Sequence, residues 1–151
     1  MSSQAQEHCR KLDVVTVKGS KVPMPIYTYD AFQNQAFAQL RTPKFSSLTL
    51  EQVLRKQADD YDGSIWEHDP DLIQLRCLVT PEFQKAYQNG LNAYLSGAWE
   101  KAKDHFLEAD RMMADNDIGG DGPSQVLLSF MRTRNWQCPS DWGGYRPLTS
   151  K

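Results

Sequence analysis

The sequence predicts an α+β fold that is mainly helical. Two β-rich runs lie near the N-terminus, apolar residues recur at three- and four-residue spacing further on, and Gly and Pro separate these segments. We expect, in order, a β-hairpin, an extended connector, a helical hairpin, one further helix and an irregular C-terminal tail. This order predicts a division into residues 1–46, the hairpin and connector, and residues 47–151, the helical domain with its packed tail.

The N-terminal hairpin is predicted from two β-rich runs, Leu12 to Val17 and Met24 to Tyr29, with a Gly-Ser turn signal between them. Proline cannot donate a ladder hydrogen bond, so Pro23 and Pro25 place the second strand at a sheet edge. A two-stranded hairpin is marginally stable alone, and we expect it to pack on the rest of the chain or on a protein partner. The expected partner contacts are Val15, Val17, Ile26 and Tyr27.

The connector, residues 30–46, has no regular hydrophobic period and carries scattered apolar anchors. Ser47 or Thr49 can cap a helix over about residues 50–60, because both side chains accept hydrogen bonds from free amides at a helix start. Residues 72–78 are compatible with either a short helical turn or an extended piece.

The strongest helical signal is a pair of helices joined by a short turn. Thr80 is a suitable cap, Pro81 occupies the first helical position, and Gly97 ends the first helix. A second helix runs from about Trp99 to Met113, and so short a link makes the two helices antiparallel neighbours. The residues expected to support their packing are Gly90, Gly97, Trp99, Ala102, Phe106 and Ala109.

The spacing of small and large residues in this pair resembles a tetratricopeptide repeat. The resemblance implies a concave peptide-binding face beside Tyr87, Asn92 and Lys103. Only one repeat is recognisable, whereas a solenoid needs about three. Two interpretations therefore stay open: a peptide-binding adaptor with an open groove, or a structural module in which residues 136–148 fill that face.

A breaker run separates the helical pair from a third helix, which Pro123 opens and which ends near Asn135. Asp121 and Ser124 can cap this helix. The stretch from Asp115 to Asp121 partly follows a calcium-loop spacing but lacks the bidentate acid at position 12. A helix-ending turn and an ion site are thus both open here, and the turn is favoured.

The tail, residues 136–151, is expected to be irregular and held by its aromatic rings. Trp136, Trp142 and Tyr145 can either pin the tail to the helices or form a recognition patch. We favour pinning, with Trp142 as a structural residue.

Composition restricts the function classes. The chain carries 17 Lys and Arg against 19 Asp and Glu, a net charge of -2, which lacks the basic excess that nucleic-acid binding needs. No apolar run approaches the roughly 20 residues of a membrane span. Three widely spaced cysteines, Cys9, Cys77 and Cys138, indicate no disulfide framework and a reducing compartment, the cytoplasm. No metal or cofactor motif is recognisable, so we expect no cofactor.

Two parts of the sequence resemble one known family. The run Val15–Lys21 followed by Pro25–Tyr29 resembles the last β-hairpin of class III adenylate and guanylate cyclase catalytic domains. Asp121–Ser124, Asp141–Tyr145 and Leu148–Lys151 are similar, in order and spacing, to the C-terminal tail of cyclases that carry a helical-repeat segment.

The resemblance implies a function without catalysis. In that family the metal-binding aspartates and the base-selecting residues precede the hairpin, and only about eleven residues precede it here. No catalytic position can be transferred, so we expect a regulatory or scaffold module that acts through a protein partner or self-association. The alternatives are a free-standing tetratricopeptide-type adaptor and an enzyme of unrecognised class.

Overall fold

The computed structural model describes residues 8–20, 22–31, 49–59, 64–116 and 119–148. It confirms a mixed fold that is mainly helical with a small sheet. The chain divides into two compact units, one of residues 1–8 with 31–77 and one of residues 9–30 with 78–151. This grouping differs from the expected division at residue 46, because the N-terminal strands pack with the later helices.

The described residues of the first unit include the helices α1 (Leu50–Asp59), α2 (Ile65–His68) and α3 (Pro70–Leu75). Thr49 caps α1 reciprocally: its hydroxyl accepts from the Gln52 amide at 3.3 Å, and its own amide donates to the Gln52 side chain at 2.9 Å. Thr49 is therefore the cap, whereas Ser47 lies outside the described residues. Helix α3 confirms the helical interpretation of residues 72–78 for its first part, and α2 was not predicted.

The second unit contains a three-stranded sheet in the order β2-β1-β3. β1 (Arg10–Val17) and β2 (Met24–Thr28) are antiparallel, which confirms the hairpin, and β2 lies at an edge as its prolines predict. β3 (Arg146–Leu148) pairs in parallel with β1. The expectation of an irregular tail is thus wrong at its end, because β1 offers a free edge to which three tail residues add.

Helices α4 (Pro81–Leu95) and α5 (Trp99–Ala114) confirm the predicted helical pair. The Thr80 hydroxyl accepts from the Phe83 amide at 3.2 Å and so caps α4. At the other end, Gly97 has a φ of 85°, and the Ala98 amide reaches the Ala93 carbonyl at 2.8 Å. This left-handed ending turns the chain back so that α5 lies against α4.

An aromatic cluster joins the helical pair to the tail. The rings of Tyr94 and Trp99 are stacked at 5.9 Å, and Trp142 meets them edge-on at 5.1 and 5.3 Å. The Trp142 indole also donates to the carbonyls of Tyr94 and Leu95, both at 3.2 Å, at the end of α4. Trp142 therefore pins the tail to the helices, as the sequence analysis favours.

The third helix, α6 (Gly122–Arg132), begins as predicted. The Asp121 carboxylate caps it by accepting from the Ser124 amide at 3.0 Å and from the Ser124 hydroxyl at 2.6 Å. The helix leads into a turn in which Asn135 and Trp136 both have positive φ.

Candidate protein-interaction surface

A buried arginine connects β1 to the rest of the second unit. One guanidinium nitrogen of Arg10 donates to Asp30 at 2.7 Å and to Asp121 at 2.9 Å, and all three side chains are buried. The guanidinium also lies over the rings of Phe83 and Tyr87, at 4.8 and 4.3 Å from their centroids. The residue therefore holds β1, the chain after β2, the start of α6 and helix α4 together.

Opposite charges and hydrogen bonds stabilise the charged form of Arg10 in this cluster. Burial lowers the pKa of Arg10, but hydrogen bonds and charge interactions with Asp121 and Asp30 outweigh that effect and raise it. The second oxygen of Asp121 is bound to Ser124 at the α6 N-terminus, where a negative charge is favoured. Both carboxylate oxygens of Asp121 are thus engaged in holding the fold.

A second ion pair holds the strands. The Arg146 side chain donates to the buried Asp13 carboxylate at 2.9 Å. Burial raises the pKa of Asp13, and the charge of Arg146 opposes that rise only in part. The hydroxyl of buried Tyr87 donates to the Leu12 carbonyl at 3.0 Å, which ties β1 to α4.

Four apolar side chains surround the buried centre of the sheet. Val15 is 1% exposed, and the pairing register places residues of all three strands on its face. We call these residues the sheet patch; they are Val17, Met24, Ile26 and Leu148, exposed by 39%, 42%, 36% and 40%. The apolar face of the sheet, which is buried at Val15, therefore continues to the surface of the unit at these four side chains.

An open strand edge borders the sheet patch. Among the residues that the structure describes, β2 pairs with β1 alone, so its other side presents backbone donors and acceptors, apart from Pro25, which has no amide hydrogen. Val22, just before β2, is exposed, and Tyr27 is half-buried. Apolar side chains and unpaired backbone together are features of a strand-docking surface.

The structure separates the predicted contact residues. Val17 and Ile26 lie in the sheet patch and Tyr27 lies within β2, but Val15 and Tyr87 are each 1% exposed. The expectation that Val15 and Tyr87 contact a partner is therefore wrong, because β1 is the central strand of the sheet and packs on α4. The alternation of residues along one strand does not reveal which of its faces another element covers. Both residues belong to the core.

The remaining two predicted contacts, Asn92 and Lys103, do not share an open groove with Tyr87. Asn92 is exposed and accepts a hydrogen bond from Gln88 on its own helix at 2.9 Å. Lys103 lies over the ring of Trp136 at 4.8 Å. The concave face expected for an adaptor is therefore occupied at Tyr87 by β1.

The residues predicted to be structural lie in or beside the core. A Cβ atom at Gly90 would lie 2.8 Å from the Phe106 ring, so only glycine permits the close approach of α4 and α5. Five of the seven are buried and two, Gly97 and Trp142, are half-buried; the set is Gly90, Gly97, Trp99, Ala102, Phe106, Ala109 and Trp142.

The sequence analysis missed the ion pairs. Arg10 is 20 residues from Asp30 and 111 from Asp121, and Asp13 is 133 residues from Arg146. Sequence patterns report neighbours within a few residues, so no local signal identifies these pairs. The capping role of Asp121 was the one part that a local pattern indicated.

The acidic stretch between Asp115 and Asp121 has structural roles where it is described. The carboxylate of Asp115, directly after α5, lies 3.7 Å from the Arg111 guanidinium in that helix, and the Asp121 carboxylate binds Arg10 and Ser124. Asp117 lies outside the described residues. Within the described ranges, no three His, Cys, Asp or Glu side chains form a group suited to a metal ion.

Two further features concern the described part of the chain. None of its helices combines the length and the apolar character needed to cross a membrane. Cys9, Cys77 and Cys138 form no disulfide bond.

No family model, curated protein or solved structure matches the chain. The similarity to the end of a class III cyclase and the similarity to a tetratricopeptide repeat therefore stay predictions.

Proposed function

We propose that the chain is a non-catalytic regulatory or scaffold module that acts through protein–protein contacts, with the sheet patch and the β2 edge as its docking surface. The supporting observation is the set of four partly exposed apolar side chains that share a face with buried Val15. Exposed apolar side chains grouped around an open strand edge are suited to receiving a protein strand.

The buried charged side chains of the second unit form ion pairs with one another, which supports a function without catalysis. Arg10, Asp30 and Asp121 form one cluster, and Asp13 pairs with Arg146. Active sites usually leave a perturbed acid or base facing a cleft, whereas these groups are used to hold strands and helices.

The proposed contact is an added strand. A partner strand, from another protein or a second copy, pairs with the free side of β2 and skips the position of Pro25. Its alternate side chains cover Met24 and Ile26. The proposed location is the cytoplasm, because cysteines that form no disulfide are typical of a reducing compartment.

The docking surface is tested with Ile26→Asp and a matched control, Val126→Asp, which places the same charge on an apolar residue of α6 that is 51% exposed. Self-association is measured by sedimentation velocity, and partners are found by crosslinking in cells, then purified and titrated. We expect Ile26→Asp to weaken the contact at least tenfold and Val126→Asp to leave it unchanged. The proposed surface is contradicted if both substitutions weaken binding equally. It is also contradicted if the chain neither self-associates nor binds a crosslinked partner.

Catalysis is tested separately by incubating the purified chain with ATP or GTP and Mn²⁺. We expect no cyclic nucleotide. Saturable turnover that a metal chelator abolishes contradicts the proposed absence of catalysis.

A further inference from the structure

Trp136 adopts a backbone conformation that its side chain disfavours. Asn135 and Trp136 have φ values of 52° and 63° after the end of α6. The Asn135 amide donates to the Arg132 carbonyl and the Trp136 amide to the Met131 carbonyl, both at 3.0 Å, which closes the helix. Asparagine is common at the first of these positions, but a bulky ring is rare in the left-handed region. Glycine would adopt this backbone without strain, so the indole at this position marks a candidate site.

The indole lies between two adjoining cavities. One, of about 380 Å³, lies between α5 and α6 and includes Leu107 and Leu128; the other, of about 410 Å³, lies at the start of α5 and includes Trp99. Trp136 lines both cavities, and we call the two together the Trp136 groove. Leu107, which is 47% exposed, and the indole give this groove an apolar floor.

The rim of the Trp136 groove is positively charged. Lys103 and Arg132 line the first cavity and Lys101 the second, against a single carboxylate, Glu100. The Lys103 ammonium lies 4.8 Å from the centre of the Trp136 ring. Among the residues described, these three cations form no ion pair. An apolar floor with unneutralised positive charge at its rim complements an apolar side chain flanked by acids.

We propose that the Trp136 groove binds an acidic peptide segment that carries one large apolar side chain. The apolar side chain rests on Trp136 and Leu107, and its flanking carboxylates meet Lys101, Lys103 and Arg132. This site is distinct from the sheet patch and does not depend on the function proposed for it. The apolar floor and the net charge of -2 favour a peptide over a nucleic acid.

The probe is a fluorescein-labelled peptide with a central Phe-Leu pair flanked on each side by two Glu residues, and binding to the full chain is followed by fluorescence anisotropy. We expect saturable binding that weakens at least tenfold in Trp136→Gly and in Lys103→Glu, and that falls as salt rises. Glycine accepts the backbone of position 136, so the melting temperature of Trp136→Gly should stay within about 4 °C of the parent value. Val126→Ala, an exposed change on α6 outside the groove, is the matched control.

Three results would overturn the proposal. The first is no binding of the acidic peptide by the folded parent chain. The second is equally tight binding of a peptide in which Lys replaces Glu, which would exclude the charge match. The third is displacement of the acidic peptide by a single-stranded oligothymidylate at equal concentration, which would make the groove a general polyanion site.

Discussion

At the scale of single residues, Arg10 determines how the sheet attaches to the helices. Its guanidinium contacts two carboxylates and two aromatic rings at once. A planar group with several donors and a polarisable face can make these contacts together, whereas the compact ammonium of lysine cannot. A buried ion pair adds little stability over an apolar pair, but removal of one partner leaves the other charge buried and unpaired.

We therefore expect Arg10→Ala to lower the free energy of unfolding by about 3–5 kcal/mol, because Asp30 and Asp121 lose their shared counter-charge. Urea unfolding, followed by circular dichroism, measures this. Arg55→Ala is the control, since Arg55 lies 3.8 Å from Glu51 on the exposed side of α1 and should give no measurable change. Similar results for the two variants would contradict a central role for Arg10.

At the scale of elements, helices α4 and α5 approach each other closely at Gly90. Gly90 faces the buried ring of Phe106, and this ring has no room to move because Tyr87 and Tyr94 lie against it at 5.5 and 6.5 Å. The missing side chain at position 90 thus determines the distance between the two helices.

Gly90→Ala tests this contact. An added methyl group in a packed core costs about 1–3 kcal/mol, which opposes a gain of about 1 kcal/mol from better helix propensity. We expect a net loss of about 1 kcal/mol and altered near-ultraviolet circular dichroism. Gly122→Ala, where an added Cβ meets nothing within 4 Å, should be neutral or stabilising. A stabilised Gly90→Ala protein would show that the helices can separate freely.

The elements also show what the sequence could and could not predict. The helices α1, α4, α5 and α6 and the hairpin follow from local signals: caps, breakers and hydrophobic spacing. Strand β3 is three residues long and contains Pro147, so only its partner β1 makes it a strand. For the same reason the sequence placed Val15 at a surface, since the burial of a strand depends on what packs over it. Local patterns therefore indicated the elements and the pairing of sequence neighbours, but not the pairing of β1 with β3 or the packing of β1 on α4.

At the scale of the whole molecule, the second unit is assembled from two distant parts of the sequence. Residues 9–30 supply β1, β2, Arg10 and Asp13, and residues 78–148 supply the helices, β3, Asp121 and Arg146. The cluster of Arg10 with its acids and the pairing of β1 with β3 lie within this unit. Its stability should then depend little on the nature of the intervening segment.

Replacement of residues 31–77 by a flexible Gly/Ser linker tests this independence. Each doubling of loop length costs only about 0.6 kcal/mol in closure entropy, so a shorter linker that still spans the gap should be neutral or slightly stabilising. We expect one cooperative urea transition and a retained near-ultraviolet signal from the cluster of Tyr94, Trp99 and Trp142. Adding Arg10→Ala to this shortened chain should lower its stability as much as in the full chain. A shortened chain without a cooperative transition would show instead that residues 31–77 are required for the unit to fold.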